Sequence, residues 1–136
     1  MTPIVAVGAF VFDREGRVLL VERAQEPGKG QWTVPGGRLE RNETLAQAVA
    51  REVREETGLI VEVGALACVV ERMGDDFHFV ILDYHARVIG GTLAPASDVS
   101  NAKFVTDQEA ARLPLTDGLA TLVERARKSY AAWEQR

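Results

Sequence analysis

One stretch of this chain constrains its fold more than any other. From Gly37 to Leu59 it carries a helical pattern whose buried face changes character along its length. Counting 100° per residue, Leu45, Ala48 and Val49 fall within about 60° of Glu52, and so do Glu55 and Glu56. The early turns of that face are apolar and the later turns acidic. A helix face lying wholly in water would be polar throughout. This one must pack its first half into a core and open its second half onto a cleft. Glu52 also stands three and four residues from Glu55 and Glu56, so like charges meet on one side and repel. A hard divalent cation such as Mg²⁺ turns that repulsion into a binding site, because it prefers carboxylate oxygens.

The flanks agree with a helix over Thr44 to Thr57. Glu43 and Thr44 supply negative charge and a cap near the N-terminus. Gly58 is a natural stop, since glycine accepts the left-handed conformation that ends helices. Arg51 lies four residues before Glu55 and eight after Glu43, within reach of acidic neighbours on both sides. Upstream, Pro35-Gly36-Gly37 reads as a turn in which backbone approaches another group closely. A carbonyl freed there is a further oxygen ligand for the same cation.

These residues resemble the Nudix box: Gly, five residues, Glu, seven residues, Arg-Glu, an aliphatic residue, any residue, Glu-Glu, any residue, Gly, and an aliphatic residue. Gly37, Glu43, Arg51, Glu52, Val53, Glu55, Glu56, Gly58 and Leu59 stand at those positions in order. The preceding Trp32-Thr33-Val34-Pro35-Gly36 is similar to the family's lead-in. The resemblance implies hydrolysis of a nucleoside diphosphate linked to another moiety, with Mg²⁺, or Mn²⁺ in its place, binding the diphosphate and activating water. Carried over by position, Glu52, Glu55, Glu56 and the Gly36 carbonyl hold metal, Glu52 or Glu56 accepts the proton, and Arg51 and Glu43 orient the cluster. Phosphoryl transfer of this kind depends mainly on positioning and on neutralising charge.

Two positions depart from the family pattern. Asn42 replaces a common glycine, and asparagine is the side chain that best tolerates the left-handed region. Many members also carry a glutamate outside the box, shortly before an aromatic residue near the last strand. Here that stretch reads Ser97-Asp98-Val99-Ser100-Asn101-Ala102-Lys103-Phe104, with Asn101 near the usual place, so either Asp98 is the acidic substitute or the box alone suffices.

The 136 residues form one expected domain, 1–136, long enough for a single core. A net charge of −4 argues against a nucleic-acid coat, while a small nucleotide bound through metal remains compatible. Cys68 is the only cysteine, so no internal disulfide can form, and its apolar neighbours make it a small core residue. The apolar start, Ile4 to Phe12, lacks the basic leader of a signal peptide and the length of a membrane span. Cytoplasm is the expected location, and a homodimer is what the family leads one to expect.

Periodicity predicts a strand at Ile4–Phe12, a hairpin turn at Asp13–Gly16 and a partner strand at Arg17–Glu22. A loop at Ala24–Gln31 and a short extended Trp32–Val34 follow. Beyond the box helix come strands at Ile60–Val63, Leu66–Arg72, Phe77–Ile89 and Lys103–Val105. The strand from Phe77 is apolar on both faces through Leu82, which predicts a central, doubly covered position. A last helix from Thr116 or Asp117 to about Trp133 has Leu119, Leu122, Val123, Ala126 and Tyr130 on one side. Helices on either side of such strands give an α/β class, an α/β/α sandwich around a central mixed sheet, which is also the fold the resemblance implies.

Substrate recognition is less legible. Arg23 at a strand end and Lys29 on the Pro/Gly loop are candidate phosphate contacts, and Asp98 is a third candidate residue on the substrate side. Trp32, Phe77 and Phe10 are candidate stacking partners for a base, although aromatics in strands are usually core. His78 and His85 lie in a strand with no evident catalytic partner. The lead-in Pro27 to Trp32 and the strand Phe79 to Tyr84 are similar to bacterial members acting on ADP-ribose. Cleansing of non-standard or oxidised nucleoside triphosphates is the alternative reaction. A non-catalytic nucleotide-sensing module is the alternative class, and such modules commonly lose the box glutamates retained here.

Overall fold

Alternation along the first strand explains the layers. In β1 (Ile4–Val11), Val7, Ala9 and Val11 join one apolar cluster, whereas Phe10 and the following Phe12 join another. A computed structural model describes residues 2–134. After β1 come β2 (Val18–Arg23), β3 (Trp32–Thr33), β4 (Gly36–Arg38), α1 (Leu45–Thr57), β5 (Leu59–Met73), β6 (His78–Gly91), β7 (Val99–Val105), α2 (Asp107–Ala110) and α3 (Leu119–Glu134). Four strands make a mixed sheet in the order β4-β1-β6-β5, with β1 parallel to β6, and three make an antiparallel sheet in the order β3-β2-β7. Ala48, Val49 and Val53 of α1 cover the Val7 face, while Leu119, Val123 and Ala126 of α3 cover the Phe10 face. The α/β/α sandwich with a mixed sheet expected from the sequence is therefore present.

The predicted β1–β2 hairpin is a correction. Its turn forms as expected, with Asp13 Oδ1 accepting the N–H groups of Glu15 at 3.0 Å and Arg17 at 2.8 Å. Only Phe12 and Val18 bridge across it, however. Both edges of β1 are taken by β4 and β6, so β2 leaves to pair with β3 and β7 in the other sheet. Pro35-Gly36-Gly37 is likewise more than a turn, since Gly36 to Arg38 form the edge strand β4.

The two strands expected at Ile60–Val63 and Leu66–Arg72 are one strand, β5, whose register shifts around Leu66 absorb the break. Gly64 sits in that irregular stretch, where a Cβ would collide with the Trp133 ring. β6 occupies the predicted central position, but Phe79 to Leu82 are only half-buried. The closed part is Asp83, His85 and Ala86. His85 does have a partner: its Nε2 lies 2.7 Å from Ser129 Oγ on α3, and its ring stacks on Trp133. Cys68 is half-buried rather than buried, with Sγ 3.7 Å from Asp83 Oδ2. β7 begins at Val99, earlier than the predicted Lys103, and α2 is an element the pattern left out.

Candidate active site

The helix α1 starts where its sequence says it should. Thr44 is its N-cap, accepting the Gln47 N–H at 3.1 Å, while the Gln47 side chain accepts the Thr44 N–H at 2.8 Å. It ends at Gly58, whose φ of 77° is left-handed and whose N–H reaches Arg54 O at 2.9 Å. Asn42 takes φ 67°, the conformation expected of it in place of glycine. Between these ends the apolar half is buried, and so is Glu56, only 4% exposed.

Arg51 ties the acidic residues together. Its Nε and Nη2 donate to both oxygens of Glu43, at 2.9 and 2.6 Å, in the bidentate arrangement that guanidinium suits. Nη1 donates to Glu52 Oε1 at 2.7 Å and lies 3.4 Å from Glu55 Oε2, and Nη2 also reaches the Arg38 carbonyl at 3.0 Å. The hydrogen bond from Arg51 holds the Glu43 carboxyl below its ordinary range. The Arg51 guanidinium is raised in turn, Glu43 being the main cause.

Glu52 and Glu56 are under the opposite pressure. Burial raises the Glu52 carboxyl, Arg51 opposes this, and the charges of Glu55 and Asp98 add to it. Glu56 is pushed up to about 9, first by burial, then by a hydrogen bond and charge from Asp98 and by the charge of Glu52. The Gly36 N–H, donating to Glu56 Oε1 at 2.9 Å, pulls the other way. Asp98 therefore belongs to the acidic cluster. The turn that carries it is fixed at both ends, Ala96 N–H reaching Glu56 O at 3.1 Å and Ala24 N–H reaching Asp98 O at 3.0 Å. Ser97, at φ 62°, bends the chain so that this happens.

The donor types at this edge, carboxylate and backbone oxygens, suit a hard divalent cation. A Cβ on Gly37 would stand 2.6 Å from both Glu52 oxygens, so only glycine leaves the carboxylate its place. Gly36 pairs with Gly8 on β1 yet donates its N–H away from that strand to Glu56. The N–H and C=O of one strand residue point to the same side, so its carbonyl also faces the acidic edge. Three carboxylates, Glu52, Glu56 and Asp98, gather there with Arg51 contacting only Glu52 among them. Among the described residues no three acidic, thiol or imidazole side chains are arranged so that they could hold a metal ion by themselves. The Glu55 side chain is 48% exposed, with Oε2 3.4 Å from Arg51 Nη1.

The other candidates separate cleanly. Arg23 and Lys29 both lie on the Pro/Gly loop side, Arg23 with Nε on Pro27 O at 2.8 Å and Lys29 with its backbone N–H on Glu26 Oε1 at 3.1 Å. Phe10 is fully buried, and Trp32 is buried beneath the Lys103 ammonium, so both are core. Phe77 remains exposed, 6.1 Å from the Phe79 ring, over which Arg38 sits. His78 pairs with Glu71 at 3.0 Å, away from the cluster. Asn101 turns its Oδ1 to the Ala102 N–H.

Known proteins resemble this chain in sequence and fold over most of its length. The model of the NUDIX domain family matches residues 2–130. An ADP-ribose pyrophosphatase of Methanocaldococcus jannaschii is 33% identical over 134 residues, which is 97% of this chain and 75% of that protein. An 8-oxo-dGDP phosphatase of Mus musculus is 37% identical over 68% of this chain, which spans only 28% of the mouse protein. The crystal structure of a MutT NUDIX hydrolase from Burkholderia pseudomallei superposes with a TM-score of 0.82 at 29% identity, covering 92% of this chain and 98% of that one. The chain belongs to the NUDIX family, as an enzyme of its hydrolase class. Enzymes of this family act on small nucleotide substrates and generally use divalent metal ions. No described helix is long and apolar enough to cross a membrane.

Proposed function

We propose that this enzyme hydrolyses the diphosphate linkage of a nucleoside diphosphate derivative, with an ADP-ribose-like compound as the favoured substrate and Mg²⁺ as the metal, Mn²⁺ being able to replace it. The observation that carries the reading is the convergence of Glu52, Glu56 and Asp98 on the Gly36–Gly37 edge. Glu52, Glu56, Asp98 and the Gly36 carbonyl would hold the metal, with Glu55 at the rim. When bound, the ion neutralises the diphosphate and lowers the pKa of water.

The protein's own groups do the rest. Arg51, itself held by Glu43, anchors the Glu52 carboxylate through Oε1. The Gly36 N–H fixes Glu56, which can hold a proton at neutral pH, while the more exposed Asp98 closes the cluster from the other side. Beyond α1 the same sheet face continues through Val5, in register with Val80, and through Leu82, in register with Val69. Val5 and Val69 are exposed there, an apolar strip against which a base can lie.

The relative from Methanocaldococcus jannaschii supports the ADP-ribose reading, since it matches almost the full chain. The mouse relative supports the second reading, an oxidised or non-standard nucleotide as substrate. The intact set of box glutamates speaks against a purely sensing module. A hydrolysis panel of ADP-ribose, NADH, dinucleoside polyphosphates and (d)NTPs with Mg²⁺ decides among them. Release of AMP from ADP-ribose at the highest kcat/KM is expected. No turnover of any member, with chelator-insensitive nucleotide binding, overturns the enzymatic reading in favour of a sensor.

A further inference from the structure

Arg23 looks like a spare cation beside a phosphate site, yet its bonds point elsewhere. It ends β2 at a register shift against β7, where it faces Val99. Its backbone closes the following loop at both ends, the N–H donating to Gln31 O at 2.9 Å and the C=O accepting from Gly30 at 2.8 Å. Its side chain closes the loop a third time, Nε donating to Pro27 O at 2.8 Å. Gly28, at φ 80°, lies against the Arg23 stem, so that a Cβ there would stand 3.4 Å from Cδ and Nε. The very next residue, Ala24, donates its N–H to the carbonyl of Asp98.

We infer that Arg23 is a positioning residue: its Nε–H bond to the Pro27 carbonyl braces the Pro27–Gly30 loop and thereby holds, through Ala24, the backbone of Asp98 at the acidic cluster. This rests on the proposed role of Asp98 for its effect on catalysis, but not for the mechanical link itself. Arg23 then matters for the one N–H at Nε rather than for its net charge. A phosphate ligand would matter as a charge at the tip of the side chain.

Side-chain chemistry separates the two. Nε2 of glutamine occupies the same position along the chain as Nε of arginine, so Arg23→Gln keeps the donor and removes the charge. Arg23→Lys keeps a charge but places its ammonium one atom further out, and Arg23→Met keeps only the shape. Three quantities are to be measured in each variant: amide exchange at Ala24 by NMR in the metal-free protein, affinity for Mn²⁺ alone by paramagnetic resonance, and kcat and KM separately.

A positioning role predicts that Arg23→Met speeds Ala24 exchange about tenfold, as loss of one hydrogen bond allows. It also predicts weaker Mn²⁺ binding and a lower kcat with KM little changed. Arg23→Gln restores all three toward the parent values, and Arg23→Lys does not. Retained function in Arg23→Lys, with KM alone raised in Arg23→Gln, overturns the inference and makes Arg23 a substrate ligand. Unchanged Ala24 exchange in Arg23→Met overturns it as well, and should that variant fail to fold, the Gln and Lys pair decides. Asp98→Asn is the companion control. If it leaves Mn²⁺ affinity and kcat at parent values, the role given to Asp98 is wrong, while the Ala24 exchange rates still decide whether Arg23 braces the loop.

Discussion

Glu56→Gln should make the metal-free protein more stable while removing its activity. Glu56 ionises in the unfolded chain near its ordinary 4.5, but in the fold only at about 9. Whatever stability depends on this group is fully present below pH 4.5 and is lost as pH rises toward 9. At pH 7.5 the displacement corresponds to about 4 kcal/mol by linkage. Water at the cleft edge and relaxation of the neighbours reduce this, so roughly 2–4 kcal/mol is expected. Glutamine keeps an oxygen for the Gly36 N–H and cannot ionise, so the variant escapes the cost. For a chain of this size that is about 7–14 °C in Tm. Thermal melts in chelator at pH 8 and pH 4.5 test this: the variant should gain at pH 8 and lose the advantage at pH 4.5. Saturating Mg²⁺ should narrow the gap by stabilising the parent, with protons released as the ion binds. Equal or lower stability of Glu56→Gln at pH 8 in chelator would refute the reasoning, because burial among like charges would then not be what holds the carboxyl up.

Three other perturbations have defined outcomes. Gly37→Ala places a Cβ 2.5 Å from the Glu52 carboxyl carbon; kcat should fall about a hundredfold through misplacement of that group, with a circular dichroism spectrum like the parent's. Arg51→Lys exchanges a fork for a single ammonium and forfeits the bidentate bond to Glu43, so kcat should drop about 10- to 100-fold with substrate KM nearly constant in steady-state assays. Burial lowers the His85 pKa below 6.5, and its Nδ1 is buried without a partner. Stability should therefore be retained above pH 6.5 and lost on further acidification, as the unfolded chain takes up a proton that the fold refuses. Melts between pH 7 and 5 should show a shallower acid decline in His85→Gln.

Local chemistry was well written in the sequence, and partner choice was not. Thr44, Gln47 and Gly58 bound α1 through bonds to neighbours within a turn, and such bonds depend on residue type and spacing alone. The same holds for Asn42, whose left-handed backbone is visible in its identity. The Thr106-x-x-Glu109 pattern was an equally local signal for the start of α2, and the structure shows both of its capping bonds. By contrast, nothing in Ile4–Phe12 or Arg17–Glu22 reveals that the two strands part company after a good turn. That outcome depends on Gly36–Arg38 and His78–Gly91 claiming both edges of β1. Asp98 was a weak candidate for a similar reason. Its reach to Glu56 depends on a left-handed Ser97 and on Ala24 holding its carbonyl, contacts between segments far apart in the chain. The box residues announced the chemistry, and the fold added Asp98 from a distant segment beside Glu56.

The seat of β1 between β4 and β6 has a consequence for the order in which the molecule assembles. Ile4 aligns with Phe79, so the first strand has no parallel partner until most of the chain exists and a long loop has closed. β4, a three-residue edge with Gly36 on it, has only β1 for a sheet neighbour. The edge that gathers the carboxylates can therefore close only once β1 has docked against it. Folding intermediates with α1 already wound would carry its glutamates in open water, harmless and inactive, until the N-terminal strand docks.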